Sequence, residues 1–163
     1  MRAGRVPRGP LVRLVSHSLT ALEKAGNELG KALVVVISSM VGVEPQPGVV
    51  PYGMSKAAQR ALCAGAHLEC AQRGIQFTAI SPALVDTPGA AWSAADGKPA
   101  AEDVAQAVRF LLSTSTNCYV PELQLRGAGP FRAVLPQEQL FVNAMPRIPR
   151  RTASVGLSRL GNC

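Results

Sequence analysis

Val34, Val35, Val36 and Ile37 form an unbroken β-branched run, and few local sequences restrict a chain as tightly. Such side chains are stiff at χ1 and fit a pleated surface. A run without polar alternation suits a parallel strand covered on both faces, so a strand is expected over 33–37. Ser38 and Ser39 follow at its C-terminal end, the edge where α/β sheets place their chemistry. Pro45, Pro47, Gly48 and Pro51 then mark a loop. From Tyr52 the sequence carries few breakers until Gly74, so a long helix is expected over 52–73.

That strand–loop–helix unit has a chemical use. Positions four apart on a helix share a face, so Tyr52 and Lys56 stand side by side. A phenol ordinarily keeps its proton until about pH 10, too firmly for exchange at neutral pH. An ammonium one turn away stabilises a phenolate and brings a phenol towards useful acid–base strength. A serine hydroxyl at the neighbouring strand end can bond the same substrate oxygen that the phenol protonates. Tyr-x-x-x-Lys also arises by chance on solvated helix faces. The strand, the two serines and the loop ahead of it give the spacing its weight.

The remaining chain alternates in the same manner. Leu11, Leu14, Val15, Leu19 and Leu22 recur at three and four and predict a helix over 11–26, with Gly26 and Asn27 at its end. A second strand is expected over 75–80, a helix over 101–113 with buried positions Val104, Ala107, Val108 and Leu111, and a third strand over 122–126. Pro121 favours an edge position for that strand, or a start at Glu122. Glu102 and Asp103 suit the first turn of the third helix. Residues 1–10 read as a disordered arm, and 128–163 as a Pro- and Arg-rich tail without periodicity.

Three segments in order carry a resemblance. Ile-Ser-Ser at 37–39, Tyr-Gly-Met-Ser-Lys-Ala-Ala at 52–58 and Gly-Ile-Gln-Phe-Thr-Ala-Ile-Ser-Pro-Ala-Leu-Val-Asp-Thr-Pro at 74–88 resemble the second half of a short-chain dehydrogenase/reductase. Ser39 precedes Tyr52 by 13 positions, which fits that family's spacing. The likeness extends over roughly 10–127. It implies an α/β fold, the last three strands of a partial Rossmann-like doubly wound parallel sheet with their helices. It also implies an oxidoreductase that moves hydride between NAD or NADP and a small carbonyl or alcohol. Ser39 would hold the carbonyl oxygen, Tyr52 would pass the proton, and Lys56 would tune Tyr52 and grip the nicotinamide ribose. Pro82, the Val85 backbone and the Thr87 hydroxyl would face the cofactor, and Trp92 would line the substrate pocket. Asp86 reads as a loop or capping residue. The helices at 11–26 and 52–73 would form a homo-oligomer interface.

The chain also departs from the family pattern. The family's helix ahead of the serine strand carries an asparagine near the place of Val12, and none stands there. Pro82-Ala83 replaces the usual Pro-Gly. The fingerprint Thr-Gly-x-x-x-Gly-x-Gly, which seats the pyrophosphate on a helix N-terminus, does not occur in these 163 residues. At roughly 30 residues per βαβ unit, the strands expected ahead of residue 33 amount to on the order of 100 residues. The expectation is therefore a truncated isoform, a fragment or a mis-started gene model that lacks turnover by itself. The alternative function is an inactive interaction module that acts through the two helices.

Composition removes other classes. The net charge of +7 lies in the flanks: 1–13 hold four Arg and no acid, and 128–163 hold five Arg against Glu138, leaving 14–127 close to neutral. A nucleic-acid surface on the folded part is not indicated. No window reaches the ~18 uninterrupted apolar residues of a membrane span. Cys63, Cys70, Cys118 and Cys163 show no metal-binding spacing, so no metal is expected. A cytoplasmic setting is expected, with the Arg-rich start allowing a mitochondrial leader as the alternative.

Overall fold

The computed structural model describes residues 9–91, 93 and 97–128. The described elements run α1 (Pro10–Leu29), β1 (Ala32–Ile37), α2 (Val50–Cys70), β2 (Ile75–Pro82), α3 (Ala101–Ser113) and β3 (Glu122–Leu125). The strands form one parallel sheet in the order β1-β2-β3, with Val36 beside Ala79 and Ile80 beside Leu123. This is the α/β architecture expected from the sequence.

Period-two alternation sends neighbouring side chains of β1 to opposite faces. Val34 and Val36 join Ile75, Phe77 and Ala79 of β2 beneath Leu11, Val15, Leu19 and Leu22 of α1 and the buried Cys63 and Cys70 of α2. Leu33 and Val35 join Ile80 against Val104, Ala107, Val108 and Leu111 of α3. Two helices therefore cover one face and one covers the other.

Several boundaries and one burial differ from expectation. α1 begins at Pro10, inside the expected arm, because proline suits the first helical turn. It runs on to Leu29 and ends at Gly30, not at Gly26. Gly26 instead lies against Gly74, where a Cβ would stand 2.8 Å from the Gly74 carbonyl oxygen. Leu14 is 66% exposed and leaves the predicted stripe. α2 starts at Val50, with Pro51 in its first turn, and passes at residue 71 into a short 3-10 turn, Ala71–Arg73, before Gly74. β1 is only partly buried, and Ile37 is exposed at its end. Among the described residues β1 pairs with β2 alone, so it is an edge strand. β3 starts at Glu122 and, among the described residues, is the other edge, as Pro121 suggests.

Polar ties fix the elements to one another. The Lys31 ammonium donates to the carbonyls of Leu111 (3.3 Å) and Thr114 (2.7 Å), placing a cation at the C-terminal end of α3. Asp103 accepts from the Ala100 amide at 2.7 Å and closes that helix's first turn. Arg73 and Glu23 join the end of α2 to α1. The Tyr119 ring stacks on His67 of α2, centroids 3.4 Å apart. Trp92, the arm through residue 8 and the tail from residue 129 lie outside the described residues.

Candidate active site

The site is assembled at the C-terminal end of β1. The chain leaves the strand extended, and the Ser38 amide donates to the Ile80 carbonyl at 2.7 Å, continuing the ladder one residue beyond β1. It then tightens into a 3-10 turn, Met40–Gly42, for which Ser39 is the cap. Gly42 of that turn rests on α2: a Cβ there would stand 2.7 Å from the carbonyl carbon of Lys56 and 2.8 Å from the Ala57 nitrogen. Only a residue without a side chain allows this approach.

The two serines have different tasks. Ser38 is buried, and its hydroxyl donates to the Lys56 carbonyl oxygen at 2.9 Å. Ser39 is half-buried, and its Oγ makes only loose contacts: it accepts from the Val41 amide at 3.4 Å and reaches the Pro82 carbonyl at 3.5 Å. Bonds at that length are weak, so the Ser39 hydroxyl can turn towards a substrate oxygen at little cost.

Lys56 is held from several sides. Ser38 bonds its carbonyl, Gly42 packs on its peptide, and its own Nζ donates to the Ile37 carbonyl at 3.1 Å. Burial pushes its ammonium below the ordinary lysine range. The same Nζ lies 5.5 Å from the centroid of the Tyr52 ring, within cation–π range. Tyr52 is 50% exposed, and among the described residues its hydroxyl has no hydrogen-bond partner. Tyr52 and Lys56 therefore share a helix face as their spacing predicts, while no bond joins Tyr52 to Ser39.

The remaining expected residues sit at the next strand end. Pro82 closes β2 and is buried, Val85 is half-buried, and Thr87 is exposed ahead of a 3-10 turn, Pro88–Ala90. Asp86 is a loop residue: its amide donates to the Pro99 carbonyl and its carboxylate lies 3.6 Å from Lys98. Among the described residues no hydrogen bond links Val85 or Thr87 to Ser39, Tyr52 or Lys56.

Residues beneath the site were not anticipated. Arg60, one turn beyond Lys56, grips Glu122 of β3 with two bonds of 2.8 and 2.7 Å. Its third donor reaches the Gly42 carbonyl at 2.9 Å, and the fully buried Ser81 donates to Glu122 at 2.6 Å. The Arg60 guanidinium, helped by Ser81, holds the Glu122 carboxyl below the usual carboxylate range. Burial, with that carboxylate nearby, pushes the Cys63 thiol up to about 11, which leaves it protonated and unreactive. The 52, 56, 60 spacing was the available sign of Arg60; the sequence held none for its partner 62 residues away.

Comparison with known proteins follows the same lines. A family model described as short chain dehydrogenase matches residues 10–97. An uncharacterized oxidoreductase of Staphylococcus aureus strain MW2 is 31% identical over 121 residues, 73% of this chain and 50% of that protein. The chain thus spans about half the length of the curated relatives it matches. A 3-ketoacyl-(acyl-carrier-protein) reductase from Brucella melitensis, solved with NADH, superposes with a TM-score of 0.65 at 18% identity, over 75% of this chain and 53% of that one. ElxO, solved with NADP, gives 0.60 at 24% identity, over 69% and 50%.

Proposed function

Because this chain belongs to the short-chain dehydrogenase family, we propose that it carries the catalytic half of an NAD- or NADP-dependent oxidoreductase that interconverts a small carbonyl compound and its alcohol. The observation that carries this reading is Lys56, tied to the strand end that presents Ser39 and facing the Tyr52 ring.

The residues present fit one end of a dinucleotide. Lys56, the Val85 backbone and the exposed Thr87 hydroxyl lie at adjacent ends of parallel strands, where they could hold the nicotinamide ribose and carboxamide. Among the described residues no glycine-rich turn joins a strand to a helix N-terminus, so no cradle for the pyrophosphate is found there. When bound, the nicotinamide supplies hydride chemistry at the substrate carbon. Ser39 would hold and polarise the carbonyl oxygen, and the Tyr52 hydroxyl would give that oxygen its proton. Lys56 would stabilise the phenolate left behind.

A second reading, a module that only associates, draws on Met54 and Leu68 of α2, 68% and 83% exposed. Exposed apolar side chains on these helices also support a homo-oligomer built through α1 and α2. No described helix is long and apolar enough to cross a membrane, and the free Cys63, Cys70 and Cys118 support a reducing, cytoplasmic setting.

One experiment separates the readings. The half of the Staphylococcus aureus relative that this chain does not cover is joined ahead of residue 10, and carbonyl reduction is assayed with NADH and NADPH. Tyr52→Phe is expected to lower kcat by roughly 10²–10⁴-fold, the range for loss of a positioned acid. Equal turnover in the parent and Tyr52→Phe polypeptides would end the catalytic reading and leave association in its place.

A further inference from the structure

The Arg60–Glu122 pair lies one helical turn from Lys56 and two from Tyr52, and each of its contacts lands on a different element. Arg60 stands on α2, Glu122 on β3 and Ser81 on β2, and the remaining Arg60 donor ends on the Gly42 carbonyl of the turn capped by Ser39. The pair is largely shielded, with 29% and 20% of the two side chains exposed. Well-packed apolar residues hold elements together at least as well as a shielded ion pair does. What they lack is a fork that grips a carboxylate on one side and aims a donor at a backbone carbonyl on the other. Gly42 in turn presses on the Lys56–Ala57 peptide. The fork therefore adds a tie from the Ser39 turn to α2 beside the Ser38 bond and the Gly42 contact on Lys56.

We propose that Arg60 and Glu122 are positioning residues that clamp the Ser39 turn against the Tyr52–Lys56 face of α2. The assignment rests on the reading of Ser39, Tyr52 and Lys56 as the reacting group. Arg60 touches no reacting atom; it acts through Gly42, and Glu122 acts through Arg60. A lysine in place of Arg60 keeps the charge but lacks the planar fork, so it cannot grip both Glu122 carboxylate oxygens in parallel and aim a further donor at the Gly42 carbonyl.

The test is hydrogen–deuterium exchange on the full 163-residue chain, which needs no turnover. The amides of Gly42, Val43 and Glu44 bond within the turn, to Ser39 and Met40. Arg60→Lys and Glu122→Gln are each expected to speed their exchange at least tenfold, while the amides of α1 and α3 keep their rates. Unchanged exchange at the turn in both variants overturns the proposal. So does an equal rise in every element, which would make the pair an ordinary strut of the fold. In the joined polypeptide of the preceding section, Arg60→Lys is expected to lower kcat about tenfold and leave the KM for the nicotinamide nucleotide within twofold. A matching loss in both constants would also count against positioning. If Tyr52→Phe leaves turnover intact while exchange at the turn responds as expected, the reaction assignment fails and the clamp remains.

Discussion

The ends of β1 and β2 are neighbours in one sheet, and they are built in opposite ways. Beyond β1 the chain is bound to α2 through the Ser38 hydroxyl, the Lys56 ammonium and the Arg60 guanidinium, and Gly42 lies flat on the helix backbone. Beyond β2 the residues from Asp86 to Gly89 are exposed, and among the described residues they are held by fewer ties, chiefly the Asp86 amide on Pro99 and a 3.6 Å approach of Lys98 to the mostly exposed Asp86 carboxylate. Groups that exchange a proton must sit within a fraction of an ångström of a fixed geometry. Groups that enclose a ligand do better with room to close on it. On the reading proposed above, reaction would fall to the first strand end and ligand enclosure to the second.

The comparison breaks most readily at Gly42. In Gly42→Ala the new methyl meets backbone on the facing helix, which has no side chain to swing away. A loss of about 1–3 kcal/mol is expected, read as a lower urea midpoint at unchanged slope. An unshifted midpoint would mean the first strand end is no tighter than the second.

Acid probes the same region with a smaller expected effect. Arg60 holds the folded Glu122 carboxyl below its unfolded value, which is near 4.3 for a free glutamate. The stability this contributes is complete above that unfolded value and is lost as pH falls through the lower folded one. Urea midpoints measured from pH 6 to pH 3 should fall less steeply in Glu122→Gln than in the parent. Parallel curves would show that Glu122 carries no such linkage.

Gly89 gives the smallest expected change. It is exposed, and among the described residues a Cβ there would find only the Thr87 hydroxyl, 3.9 Å away. Gly89→Ala is expected to leave stability within about 0.5 kcal/mol, measured by the same denaturation. A loss as large as that of Gly42→Ala would erase the distinction between the two strand ends.

Much of this was legible in the sequence where a residue's task depends on near neighbours. The β-branched run announced β1, and the spacing of Tyr52 and Lys56 announced their shared face. Asp103 announced the start of α3, and Pro121 the start and edge position of β3. Legibility failed where the task depends on remote chain. Gly26 read as a helix stop, but its small size serves Gly74, far along the chain. Arg60 and Glu122 are ordinary surface-type residues until the sheet brings β3 beneath α2. That Ser39 bonds Val41 and Pro82 and not Tyr52 was beyond spacing, because a side chain's direction in a turn follows from the turn's own bonds.

Ser38 and Ser39 are chemically identical neighbours, yet extended backbone turns successive side chains to opposite sides. One therefore became mortar, buried against the Lys56 carbonyl, while the other was left near the surface with loosely engaged bonds. Which serine receives which role is decided by parity along the strand, and a slip of one residue in the pairing of β1 with β2 would exchange them. A doubled residue at such a place is not redundancy: neither copy can stand in for the other, and the sheet's register, more than the side chain's chemistry, selects the one left accessible.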